Sequence, residues 1–253
     1  MAHRYFAWLS YDGSVYSGWQ IQPGSPTVQQ TLNNALSILL REDVQTTGAG
    51  RTDAGVHATT FAAHFDTEKK PEELNLPQLV YKLNRILPSD IAIHRVEAVF
   101  PDVHARFSAL SRTYHYYICT RKDPFQGGRS WLFERKLKLE AMQQAADLLT
   151  AYEDFESFSK INTQVKTFLC KISKAQWEKE DGMLRFEITA DRFLRNMVRA
   201  IVGTLVEVGL GKITPNDFAD IIESKDRSQA GYSAPACGLF LKEIRYPPDI
   251  LLK

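Results

Sequence analysis

A chain of 253 residues that is 44% hydrophobic and 24% charged can bury a sizeable core, which excludes disorder as its default state and leaves room for one large or two small domains. With 31 Lys and Arg against 30 Asp and Glu, the formal charge of +1 excludes a nonspecific polyanion binder that rests on a large positive excess, though not a local basic groove. The three cysteines, Cys119, Cys170 and Cys237, lie far apart with no C-x-x-C, which excludes a disulfide framework, a sulfur-rich zinc site and a thioredoxin-like motif, and fits a reducing cytoplasm.

Residues 4–11 alternate and are rich in aromatics, as in a strand, and Tyr11-Asp12-Gly13 ends it with turn chemistry. Thr27-Val28-Gln29-Gln30 fits a capping box, and Val28, Leu32, Ala35, Leu36, Leu39 and Leu40 then recur on one helical face. Two strand-like pieces follow, about 44–51 and 59–66, on either side of a Gly-rich loop. Leu76, Leu79, Val80, Leu83, Ile86 and Leu87 describe a second amphipathic helix stopped by Pro88, and 91–99 reads as a strand. The pattern then repeats: a strand over 113–120, a helix over 139–149, and a hairpin of 169–177 and 183–190 around Lys179-Glu180-Asp181-Gly182. A long apolar helix over 194–208, an extra helix opening at Thr214-Pro215 and a last strand over 238–246 complete it.

The order is β-α-β-β-α-β, twice. It predicts an α+β protein of two ferredoxin-like, RRM-like halves, 1–105 and 106–253, that form an extended antiparallel sheet with helices on one side. RRM domains use such an uncovered sheet face for single-stranded RNA. The start, Met-Ala-His-Arg-Tyr, lacks the basic and apolar regions of a secretory signal, and no apolar run approaches the roughly 18 residues of a membrane span, so a soluble, unexported protein is expected.

The least ordinary stretch is Gly48-Ala49-Gly50-Arg51-Thr52-Asp53-Ala54-Gly55-Val56-His57-Ala58. Its three glycines suggest backbone conformations closed to other residues, or the close approach of a ligand. No Gly-Lys-Ser/Thr follows, and the third glycine of a dinucleotide fingerprint is displaced, so nucleotide-cofactor readings are weak. What stands out is a carboxylate, Asp53, two residues from a guanidinium, Arg51. Composition alone fits either a plain hairpin turn or a nucleophile or base beside a phosphate contact.

The string Gly50-Arg51-Thr52-Asp53-Ala54-Gly55-Val56-His57 resembles the catalytic loop of the tRNA pseudouridine synthase A family. The resemblance extends through Tyr11-Asp12-Gly13 with Tyr16-Ser17-Gly18-Trp19-Gln20, Leu83-Asn84 through Leu87-Pro88 with Asp90-Ile91, and His104-Ala105-Arg106-Phe107-Ser108-Ala109. It continues in Arg112-Thr113-Tyr114-His115-Tyr116, in Phe193-Leu194-Arg195-Asn196-Met197-Val198-Arg199 with Gly203, and in Gly238-Leu239, and so covers essentially the whole chain.

The resemblance implies the pseudouridine synthase fold and the isomerisation of uridine to pseudouridine at positions 38 to 40 of the tRNA anticodon stem-loop, in a homodimer, without cofactor or metal. Asp53 is then the essential carboxylate, which attacks C1′ or abstracts the C2′ proton. Arg199 keeps it ionised, the two halves completing one site, with Arg195 four residues earlier the residue to confuse with it. Tyr114, the first tyrosine after Arg112-Thr113, stacks on the detached uracil, although Tyr116 lies on the same side of the strand by alternation and a bare count makes each more often a core or sheet aromatic than a catalytic one. Arg51 aids extrusion of the nucleotide; Arg106, Phe107 and Leu239 shape the pocket or touch RNA; Gly50, Thr52, Gly55 and His57 support the loop. Lys69-Lys70, Lys136 with Lys138, and Arg121-Lys122 are candidate phosphate contacts, though such pairs are usually solvated faces.

His57, His64, His104 and His115 are spread over separate elements with no H-E-x-x-H spacing, which argues against a zinc site. Two other classes remain open to the residues alone: a noncatalytic RNA-binding protein on the same scaffold, for which Asp53 is dispensable, and a glycoside hydrolase, which needs a second opposed carboxylate.

Overall fold

The computed structural model describes residues 2–160, 165–180 and 182–252. The chain divides into two compact units, one of residues 1–110 with 241–253 and the other of residues 111–240. It is a mixed α+β protein whose sheet pairings are mostly antiparallel.

In the first unit, β1 (His3–Tyr11) pairs antiparallel with β3 (His57–Thr67), Tyr5 opposite Phe65 and Leu9 opposite Phe61, and on its other side with β4 (Ile91–Val99). Its alternation predicts one buried face. In fact burial is continuous from Tyr5 to Leu9, because both faces are covered. On one face Tyr246 meets Phe6 and Trp8 edge-on, at centroid distances of 5.3 and 5.6 Å.

That contact explains why 241–253, which the sequence pattern assigns to the second half, belongs with the first unit. The Leu110 amide donates to Arg245 O at 2.7 Å, the Phe100 amide to Ile250 O at 3.2 Å, and the Leu252 amide to Ala98 O at 3.0 Å. Leu241–Arg245 is most of β9 (Leu239–Arg245), which follows β3 in the strand order β4-β1-β3-β9.

α1 (Val28–Leu40) starts at Thr27, whose hydroxyl accepts from the Gln30 amide. Only half of the expected capping box forms, because the Gln30 side chain donates to Asn34 Oδ1 instead. The strand expected over 44–51 shrinks to β2 (Thr47–Gly48) on β3, since side chains of α1 take up the backbone ahead of it. Asn33 Oδ1 accepts from the Thr46 amide, Gln29 Nε2 donates to Thr46 O, and Ser37 Oγ accepts from the Val44 amide. α2 (Leu76–Ile86), capped by Asn75, buries only Leu79 and Leu83, and Asn84 pairs with both the N–H and the C=O of Ile93 on β4.

In the second unit, β5 (Ser111–Cys119) pairs antiparallel with β8 (Met183–Ala190), and β8 with β7 (Ile172–Glu180); Asp181 of the expected hairpin turn lies outside the described residues. The two-residue β6 (Trp131–Leu132) runs parallel to β5. Accompanying them are the α-helices α3 (Leu139–Leu148), α4 (Met197–Gly209) and α5 (Pro215–Ser224), the last opened by a complete capping box of Thr214 and Asp217. α4 starts three residues later than its apolar pattern predicts, because Asn196 takes a left-handed backbone (φ 67°) and ties its side chain to Ser233.

α4 is buried on nearly every side, and its backbone touches another backbone. The Gly231 amide donates to Thr204 Oγ1 at 2.9 Å, the Ala234 amide to Arg199 O at 2.9 Å, and a Cβ on Gly203 would lie 1.7 Å from Tyr232 O. Gly203→Ala is therefore expected to cost about 1–3 kcal/mol although alanine is the better helix former. A denaturant melt of the variant checks it: a higher midpoint would show that helix propensity outweighs the close approach.

Candidate active site

The segment after β1 and the loop between β2 and β3 dock by their backbones. The Trp19 amide donates to Thr52 O at 3.3 Å, the Gly55 amide to Tyr16 O at 3.3 Å, and the Gly13 amide to His57 Nδ1 at 3.1 Å. A side chain on Gly13 or Gly18 would collide, since a Cβ at Gly13 would lie 2.0 Å from Val56 O and one at Gly18 2.3 Å from Thr52 O. Gly18 also has φ +89°, a conformation that L side chains rarely adopt. Within the loop the Val56 amide closes a turn on Asp53 O at 3.2 Å.

Side chains fix the rest. The Tyr11 hydroxyl and Thr52 Oγ1 share a buried hydrogen bond of 2.9 Å, and the Trp19 ring lies 4.2 Å from that of Phe61 on β3. Tyr16 donates to Asp90 Oδ1 at 2.7 Å while Asp90 O accepts from the Asp12 amide, so the turn before β4 anchors the same segment. Burial, then the bond to Asp90, push the Tyr16 phenol well above its ordinary pKa, and it stays a donor. His57 is buried. Its Nδ1 also lies 3.2 Å from Asp12 Oδ1, an oxygen that accepts from the Ser14 amide and hydroxyl.

This framework leaves Asp53 half-buried and Arg51 exposed beside it, with Thr52 buried between them. Of the three loop glycines, Gly55 has a left-handed φ of +77° and Gly48 is crowded by Trp19 and Phe61. Gly50 meets neither constraint: a Cβ there would have nothing within 4 Å.

Arg106 and Phe107 are also held on the first unit. His64 Nδ1 accepts from the Ala105 amide at 3.1 Å and His104 Nδ1 from the Arg106 amide at 3.0 Å, and the Tyr246 hydroxyl donates to Ala105 O. Phe107 is 75% exposed, with its ring 4.4 Å from that of His104 and the Arg106 guanidinium 5.5 Å from its centroid.

In the second unit, β5 separates the two competing tyrosines. Tyr116 is fully buried and donates to Pro235 O at 2.8 Å, whereas Tyr114 is half-buried with its ring edge-on to Phe193 at 5.2 Å. Arg199, half-buried on α4, donates from Nε to Ala234 O at 2.7 Å. Arg195 is exposed and precedes α4, so it does not share a helical face with Arg199 as the spacing suggests. Leu239 is buried at the start of β9. Among the described residues, no group of three or more His, Cys, Asp or Glu is arranged to hold a metal ion, and no helix is long and apolar enough to cross a membrane.

The positioning residues Tyr11, Gly13, Tyr16, Gly18, Asp90 and His104 stand in motifs quoted from the sequence, and His64 stands outside them, yet the sequence assigns none of them a place in the site. Their only signal is the glycine in Tyr-Asp-Gly and in Ser-Gly-Trp, and it does not say which chain segment lies opposite.

A family model described as tRNA pseudouridine synthase matches residues 7–108 and 145–247. A protein of Porphyromonas gingivalis named tRNA pseudouridine synthase A is 54% identical over 252 residues, covering 98% of this chain and 99% of the relative. Proteins of the same name from Bacteroides thetaiotaomicron and Bacillus subtilis are 54% and 39% identical, over 98% and 94% of this chain and 92% and 97% of the relatives.

Burial, helped by the positive charge of Arg4 and His104, lowers the pKa of His64 to about 4; burial, helped by Arg4 and Arg106, also lowers that of His104. The unfolded chain takes up a proton on His64 below about pH 6.5 and the folded chain does not until about pH 4. Stability from this group is therefore complete above pH 6.5 and falls as the pH drops towards 4, by at most about 1.4 kcal/mol per pH unit. Unfolding free energies measured from pH 7 to 4 should decline less steeply in His64→Gln than in the wild type; equal slopes would remove His64 as the source.

Proposed function

This chain belongs to the tRNA pseudouridine synthase family, and on that footing we propose that it isomerises uridine to pseudouridine at positions 38 to 40 of the tRNA anticodon stem-loop. The observation that carries the reading is the Asp53 loop, whose family string stands on a backbone scaffold that fixes a half-buried carboxylate beside an exposed arginine.

The reaction breaks the bond between C1′ of ribose and N1 of uracil, turns the base and joins C1′ to C5; the C5 proton is lost and N1 gains one. Nothing is oxidised or hydrolysed, so one ionised carboxylate and a site that retains the base suffice, without cofactor or metal. Asp53 takes the role of nucleophile at C1′ or base at C2′. Tyr114 stacks on the uracil, a role its half-exposed ring can fill and the buried Tyr116 cannot. Arg199 supplies positive charge that favours the ionised carboxylate. A paired nucleotide must leave its stack before C1′ can be reached, and exposed Arg51 assists that extrusion, with Arg106 and Phe107 as further RNA contacts. Leu239, being buried, serves as apolar wall, and Gly50, Thr52, Gly55 and His57 hold the loop.

The same reading assigns each unit a ferredoxin-like plan, supported in the first by the order β4-β1-β3 with β2 on β3 and in the second by β5-β8-β7. A homodimer in the cytoplasm, where tRNA is processed, completes it; light scattering tests the dimer.

The deciding experiment is release of tritium from C5-labelled uridine in a tRNA transcript carrying uridines at 38 to 40. Wild type is expected to release it, and Asp53→Asn to fall by at least about a thousandfold while still binding tRNA. Binding without release by wild type would leave a noncatalytic RNA-binding protein, and free uracil among the products would indicate a hydrolase.

A further inference from the structure

Between β5 and β6 the chain makes a loop, residues 120–130, in the stretch that separates the two segments matched by the family model. At its tip Phe125 is 87% exposed, more than any other large apolar side chain among the described residues. A lone exposed aromatic is ordinarily no signal. This one is presented by a built turn: Asp123 Oδ1 accepts from the Phe125 amide at 2.8 Å, Asp123 O accepts from the Gln126 amide at 3.2 Å, and Pro124 presets the backbone between them. Gln126 O in turn accepts from the Arg129 amide at 3.1 Å and the Ser130 hydroxyl at 3.1 Å. The loop's one carboxylate is thus used for shape, while Arg121, Lys122 and Arg129 are all exposed.

An apolar side chain held out in water by an ordered turn has its ordering cost met before any partner arrives. What partner fits follows from the neighbours. No second large apolar residue stands between 120 and 130, so the tip offers no apolar patch to a protein surface. A single exposed aromatic with exposed cations on either side of it in one short loop matches instead an unstacked base between phosphates. Tyr114 and Cys119 stand five positions apart on β5, a strand length of about 17 Å, so the loop meets RNA away from the nucleotide under Tyr114.

We propose that residues 121–129 form an RNA-binding finger, in which Phe125 stacks on an unpaired tRNA base and Lys122 and Arg129 contact the flanking phosphates. The proposal rests on tRNA being the substrate and extends that reading to a second contact site.

Binding of an unmodified tRNA transcript, followed by fluorescence anisotropy at several salt concentrations, tests it with wild type, Phe125→Ala, Phe125→Leu, Phe125→Trp and Lys122→Ala/Arg129→Ala. Phe125→Ala and Phe125→Leu should weaken binding by about five- to a hundredfold, Phe125→Trp should restore it, and the double variant should flatten the salt dependence. Wild-type affinity in Phe125→Ala overturns the proposal. So does rescue by Leu together with a change in mass by light scattering after Phe125→Ala, which would make the tip an apolar contact between copies of this chain. Tritium release by the wild type separates the two readings: release with unaltered binding by Phe125→Ala sinks only the finger, whereas a wild type that binds no tRNA sinks both.

Discussion

The contact on which the site depends is backbone against backbone, the Gly13–Gly18 stretch lying directly on residues 52–56. Main-chain atoms that approach this closely leave little room for adjustment, so the backbone position of Asp53 is set by main-chain packing. The same stretch leads into α1, because the Gly18 and Trp19 carbonyls accept from the Val28 and Gln29 amides. Side chains of α1 then hold residues 44–46, which lead back into the loop. The scaffold of the carboxylate is therefore a closed circuit of local elements, joined to β4 through Asp90.

The sequence pattern locates some elements well. β4 begins and ends where its alternation says, and α3 differs by one residue at its end. Errors appear where a distant group intervenes. The strand expected over 44–51 loses its first residues to Asn33 and Gln29, and α4 starts late because Asn196 is bound to Ser233. Likewise β1 is covered on its second face by Tyr246, 235 or more residues along, which no window of sequence could include.

The loop around Asp53 was legible as a string, and its chemistry followed from resemblance. The reason for its glycines was not. Gly55 meets a backbone demand and Gly48 a packing one, while Gly50 meets neither, although the three look equivalent in the sequence. Nor does spacing rank the candidates on β5 and α4. Burial separates Tyr114 from Tyr116, and the late start of α4 separates Arg199 from Arg195.

The assignment of residues 241–253 to the first unit has a consequence for biogenesis. On the ribosome, residues 111–240 all emerge before the segment that covers Phe6 and Trp8 and engages Ala98, Phe100 and Leu110. The first unit thus waits for its last segment, with aromatic surface uncovered for the time a ribosome needs to translate the second unit. At about 5–20 residues per second that interval lasts many seconds, long beside the intrinsic folding time of a small domain, and it makes the nascent first unit a natural client for chaperones.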